Sequence, residues 1–132
     1  MKITADTNVL VRAVTDDHAE QSKIAQSTLK KAELIAISIP TLCELVWVLS
    51  QGYKIPSGEI AETIRCLINA GNVAVNQPAA EAGLAQLDAG GDFADGAIAY
   101  EGSWLGADTF VSFDRKAVKL MDDRGEPAQL LS

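Results

Sequence analysis

One histidine, His18, stands in 132 residues, and it sits among Asp16, Asp17 and Glu20 at a polar helix start. A side chain so placed faces solvent, so histidine-based catalysis has no residue to perform it. Zinc loses its commonest nitrogen ligand for the same reason. Cysteine is nearly as scarce. Cys43 and Cys66 lie far apart in helix-like segments, without the paired spacing of a zinc or redox site, so two reduced, packed thiols are expected. Apolar runs such as residues 34–39 are too short to span a bilayer, and the opening Met1-Lys2-Ile3-Thr4-Ala5-Asp6 meets a carboxylate before a signal-peptide core can develop. A cytoplasmic protein without a membrane partner is expected. A glycine-rich phosphate loop ending in Lys-Ser/Thr is absent, as is a Gly-x-Ser-x-Gly elbow, and there are no repeats, linkers or low-complexity stretches.

Basic charge is also short. Eleven Lys and Arg against 18 Asp and Glu give a formal net charge of −7, which argues against a protein that holds nucleic acid through a broad basic surface. Another route to phosphate remains open. If several carboxylates converge on a divalent cation, the metal supplies the positive charge that lysine otherwise would. The candidate ligands are all oxygens, the preference of Mg2+ and Mn2+.

What is present is apolar content, 48% of the chain, enough for one domain over residues 1–132 to bury a core without disulfides or structural metal. Ile3 and Ala5 lead as a short strand into a helix carrying Val9, Leu10, Ala13 and Val14. A second helix is predicted over 17–31, with Ile24, Ala25, Thr28 and Leu29 on one side, followed by a buried strand over 34–38. Pro40 suits the first turn of a helix over 41–51 with Leu42, Leu45, Val46 and Leu49 as its inward stripe and Gly52 at its end. Ile60, Ile64, Leu67 and Ile68 mark the next helix, and residues 73–75 a strand. Pro78 opens a helix through Leu84 and Leu87, and Gly90-Gly91 breaks it. Asp92 caps a helix reaching Trp104, residues 109–113 form a strand, and Asp114 caps a last helix through Met121. Strands alternating with helices imply an α/β fold with a central parallel sheet covered on both faces, whose sites lie beyond the carboxyl ends of the strands. Asp6 and Asp114 fall there.

Each carboxylate admits a structural reading beside a functional one. Asp6 and Asp114 can cap helices whether or not they bind metal. Asp92 and Asp95 stand three apart at a helix start, where the helix dipole already favours negative charge. Glu44 carries more information, because its helix is apolar almost all round. A carboxylate buried there needs a cation or an arginine to offset desolvation.

In order, Ala5-Asp6-Thr7-Asn8-Val9-Leu10, then Thr41-Leu42-Cys43-Glu44-Leu45-Val46-Trp47-Val48-Leu49, then Asp92-Phe93-Ala94-Asp95-Gly96-Ala97-Ile98-Ala99 and Ser112-Phe113-Asp114 resemble PIN-domain nucleases, and VapC-type toxins in particular. The resemblance spans nearly the whole chain and implies a three-layer PIN-like fold. It makes Asp6, Glu44, Asp95 and Asp114 the acidic, metal-binding catalytic set, with Asp92 outside it. Thr7 and Ser112 match small polar residues that support the carboxylates. Gly96 departs from the larger apolar residue common in relatives. The implied activity is a Mg2+- or Mn2+-dependent endoribonuclease acting on transfer RNA or other structured RNA. Implied partners are a cognate antitoxin whose basic tail enters the acidic groove and a second copy in a homodimer. Arg115, Lys116 and Lys119 beside Asp114 either hold phosphate or form a solvated face. Trp47 and Tyr53 are candidate contact surfaces, although core packing accounts for Trp47 as well.

Two other classes are weighed. A magnesium-dependent phosphatase or receiver-like domain also places aspartates at parallel strand ends, but the haloacid-type pattern wants a second aspartate where Asn8 stands. A catalytically silent PIN-like binding module is opposed by the intact acidic set.

Overall fold

The computed structural model describes residues 1–132, and the chain forms two compact units, Met1–Asn76 and Gln77–Ser132. In the first, β1 (Lys2–Thr4), β2 (Leu34–Ala36) and β3 (Val73–Ala74) form a parallel sheet in the order β1-β2-β3. Ile3 stands opposite Ile35, and Ile35 opposite Val73. Parallel neighbours need crossover connections, and helices provide them. α1 (Thr7–Val14) and α2 (Ala19–Lys31) link β1 to β2, while α3 (Ile39–Trp47), a π-helical turn (Val48–Gly52) and α4 (Ser57–Ile68) link β2 to β3. Leu10, Ile35, Leu42, Leu45, Leu49, Ile60 and Ile64 form the buried apolar set of this unit.

Two local devices shape this unit. The apolar stripe of α3 continues into the π-helical turn, where the Tyr53 amide donates to the Val48 carbonyl at 3.2 Å and Lys54 then takes a left-handed φ of 55°. One residue more per turn rephases the chain before Pro56, which α-helical periodicity does not foretell. The α1–α2 loop is clipped to the same place: the Tyr53 hydroxyl donates to Asp17 at 2.6 Å, Arg12 pairs with that carboxylate at 3.3 Å, and Thr15 lies 3.0 Å from it.

The second unit contains α5 (Gln77–Asp88), α6 (Phe93–Trp104), β4 (Phe110–Ser112), α7 (Arg115–Asp123) and β5 (Ala128–Leu130), with β4 and β5 paired in parallel. α5 and α6 pack as a hairpin through glycine. A Cβ at Gly83 would lie 2.6 Å from the Phe93 ring, and one at Gly96 would overlap the Ala82 carbonyl oxygen. Phe93, the largest fully buried side chain, occupies the space that Gly83 leaves.

The α/β class with parallel strands is as expected, with the strands hydrogen-bonded as three and two. Several details differ. Ile24 is 60% exposed, and the buried positions of α2 are Ser22 and Ala25. Cys43 is half-buried and Cys66 exposed; neither is in a disulfide, but the second is not packed. α2 begins at Ala19 because His18 is its cap, the ring Nδ1 accepting from the Gln21 amide at 3.1 Å. β5 is not anticipated at all. No helix is long and apolar enough to cross a membrane.

Candidate functional site

Asp6 leaves the carboxyl end of β1 and caps α1. Its Oδ1 accepts from the Thr7 amide at 2.8 Å, with the buried Ala5 before it and the buried Thr7 after it. The strand and helix start therefore fix the residue's backbone while its carboxylate stays exposed. Thr7 supports Asp6 through that backbone N–H.

Glu44 does not sit where the apolar composition of its helix suggests. It is exposed and makes no ion pair or side-chain hydrogen bond. The helix buries one stripe, Leu42, Leu45 and Val46, and its apolar excess is displayed outward by Trp47, which is 65% exposed. The expected desolvation is thus absent, and so is the arginine that would have offset it. Core packing does not account for Trp47 either. Glu44 and Trp47 are three residues apart and share a helix face.

The second unit gathers the more informative carboxylates. Asp92 caps α6, its Oδ1 accepting from the Ala94 amide at 3.3 Å. Its neighbour Phe93 is locked in the core, and Asp95 follows in the first turn. Asp114 leaves the carboxyl end of β4 and caps α7: its Oδ1 accepts from the Ala117 amide at 3.1 Å, while its own N–H donates to Ser112 Oγ at 3.0 Å. Ser112 thus holds the turn that presents Asp114 through the Asp114 backbone, without a hydrogen bond to its carboxylate. Asp95 is half-buried and accepts no hydrogen bond. Burial first, then the negative charges of Asp92 and Asp114, raise its carboxyl above the ordinary range.

Asp92 and Asp114 thus both act electrostatically on Asp95, and no protein cation offsets them. Asp92 therefore acts on the cluster as well as capping α6, a role that its three-residue spacing from Asp95 signalled but capping alone could explain. No group of three or more His, Cys, Asp or Glu side chains converges closely enough to hold a metal ion. The donor set is nevertheless of the hard, oxygen-only kind that Mg2+ and Mn2+ accept, and a divalent cation would relieve the repulsion that raises Asp95.

Sequence reasoning missed the function of Gly96. It reads as a weak point in the helix, yet the close approach of Ala82 demands it, and this approach sets the position of α6 and so of Asp95. The available signal was a second small residue set, Ala82 and Gly83, in the preceding helix. The same closeness buries Gln86, whose Nε2 reaches the Ala117 carbonyl at 3.4 Å while its Oε1 has no partner.

A family model described as the PIN domain matches residues 3–120, a span that includes Asp6, Glu44, Asp92, Asp95 and Asp114 and runs through both compact units. No curated protein matches the chain.

Proposed function

This chain belongs to the PIN-domain family, a nuclease-type fold, and from that membership we propose that it is a metal-dependent endoribonuclease with Asp6, Glu44, Asp95 and Asp114 as its metal-binding and catalytic carboxylates. The observation that carries the reading is the family match over residues 3–120, a span within which all four positions fall. The environment of Asp95, a half-buried carboxylate facing Asp92 and Asp114 without a donor, supports it independently. Asp6, Glu44, Asp95 and Asp114 would hold a divalent ion, which when bound would supply Lewis acidity to a phosphodiester oxygen and to water.

The chain's own contribution is positional. Caps at Asp6, Asp92 and Asp114 tie carboxylates to rigid helix starts, so oxygen ligands are held without being carried on mobile loops. A carboxylate of the set takes a proton from the attacking water as the water oxygen bonds to phosphorus, the P–O3' bond breaks, and a proton passes to the departing 3'-oxygen, leaving RNA fragments with a 5'-phosphate and a 3'-hydroxyl. The VapC-type resemblance extends the proposal to a cytoplasmic toxin that cleaves transfer RNA or another structured RNA, works as a homodimer and is silenced by an antitoxin. An antitoxin arginine entering the acidic site would act as an unreactive cation, which suits a chain of net charge −7.

The test is cleavage of total cellular RNA by the purified protein with Mg2+ or Mn2+, against EDTA, Asp6→Ala and Asp95→Ala controls, with the cut ends mapped. Discrete, metal-dependent cuts lost in both variants support the proposal. No cutting by folded, metal-loaded protein moves the assignment to a silent binding module.

A further inference from the structure

Phe113 is 77% exposed in the turn between β4 and α7. The turn that displays it is not loose. Asp114 N–H is bound to Ser112 Oγ on one side, and Asp114 Oδ1 is bound to the Ala117 amide on the other, so the ring is held outward by a pinned backbone. Its chain neighbours are chemically distinctive. Before the helix core begins come Asp114, which contributes to the field at Asp95, and then Arg115 and Lys116, both exposed and without an ion pair or side-chain hydrogen bond. The other adjacent pair of exposed cations, Lys30 and Lys31, ends α2, where the helix dipole favours positive charge, whereas Arg115 and Lys116 stand at a helix start, where it does not.

We propose that Phe113 is a substrate-positioning residue on which the base next to the scissile phosphate stacks, with Arg115 and Lys116 taking the phosphates that follow. The proposal rests on the ribonuclease reading above and deepens it. Consecutive Cα atoms are about 3.8 Å apart, so the ring and the Asp114 carboxylate lie within the reach of one nucleotide. An aromatic face accepts any base, because every base has a π-surface, but only a base free of its helical stack can reach it. The subsite therefore selects an unpaired nucleotide at the cut and leaves base identity to other contacts. A protein contact is the competing explanation for an exposed phenylalanine. The adjoining unpaired cations and carboxylates favour a ligand with both a planar apolar part and an anionic part.

The experiment couples a protein change to an RNA change. An unstructured, labelled oligonucleotide spanning a cleavage site mapped on total RNA is compared with copies carrying an abasic nucleotide on either side of the cut. The proteins are wild type, Phe113→Ala and Phe113→Trp. Expected results are a fall of about ten-fold in kcat/KM for Phe113→Ala on intact RNA, retention by Phe113→Trp, and a similar fall for wild type on one abasic RNA. On that RNA, wild type and Phe113→Ala should become equal. Full activity of Phe113→Ala, or losses that multiply independently, overturns the proposal while leaving the nuclease intact. So does an equal loss on every RNA accompanied by a changed oligomeric state in light scattering, which marks a protein contact. If wild type cuts no RNA, the ribonuclease reading falls and this one with it.

Discussion

Asp95 carries a stability consequence that can be read without any substrate. Its carboxyl titrates above the ordinary value of 3.8 because burial and the charges of Asp92 and Asp114 disfavour the ionised form. The folded chain then holds this proton more tightly than the unfolded chain, so stability falls as pH rises from the ordinary value through the raised one and stays lower above it. Asp95→Asn should therefore raise Tm at neutral pH in EDTA, with the gain vanishing below the ordinary carboxylate range. Added Mn2+ should raise the Tm of wild type more than that of the variant. An unchanged or lowered Tm for the variant at neutral pH would show that the burial of Asp95 is compensated elsewhere. Gly96 makes the opposite kind of demand. Gly96→Ala should lose about 2 kcal/mol in denaturant unfolding because the new methyl meets the Ala82 carbonyl. Gly58→Ala, with nothing within 4 Å of the added carbon, should instead gain about 0.5 kcal/mol. The caps at Asp6, Asp92 and Asp114 were legible in the sequence because a capping side chain and the helix it starts are adjacent. The exposure of Glu44 was not, because composition counts apolar residues in α3 without saying that Trp47 faces outward.

Among the elements, the α1–α2 loop depends on a residue 36 positions away. The Tyr53 hydrogen bond is the first cause that lowers the Asp17 carboxyl, with Thr15 and Arg12 adding to it against a desolvation effect of opposite sign. A depressed carboxylate contributes stability above its unfolded value, and that contribution disappears as pH falls through the folded value. Tyr53→Phe should lower Tm at neutral pH and converge with wild type in acid, as thermal melts across pH would record. A gap that persists undiminished in strong acid would place the effect of Tyr53 in packing. The elements missed from sequence share a cause. Leu42, Leu45, Val46 and Leu49 read as one unbroken α-helical stripe, so the π-helical turn beginning at Val48 leaves no mark on it. β5 is three residues long, and its definition comes from pairing with β4, not from alternation of its own. α7 shows a further tension: Asp114 caps its positive end favourably, but Arg115 and Lys116 follow at that end and Asp122 and Asp123 lie at the negative end, against the stabilising pattern.

For the molecule as a whole, a net charge of −7 and the proposed RNA substrate make salt dependence diagnostic. If Arg115 and Lys116 are the two phosphate contacts, log Kd for single-stranded RNA should vary with log salt with a slope of magnitude about 1.4. Titrations of a labelled RNA with Asp95→Ala protein would measure it. A slope several times steeper would mean that a broad basic surface binds the RNA, against which the composition argues. The α/β class, the parallel strands and the helix order were legible because periodicity and punctuation are local properties of the chain. The field shared by Asp92, Asp95 and Asp114 was not, since it depends on how β4, α6 and α7 pack within the second unit. The close helix contact in that unit also bears on how the protein tolerates change. In a saturation library sorted only for soluble folded protein, positions 83 and 96 should be nearly as intolerant as the proposed catalytic role would make Asp95 in a library sorted for RNA cleavage. Intolerance alone would then draw a false boundary around the catalytic set, and only the difference between the two selections would separate the residues that hold the scaffold from those that cut.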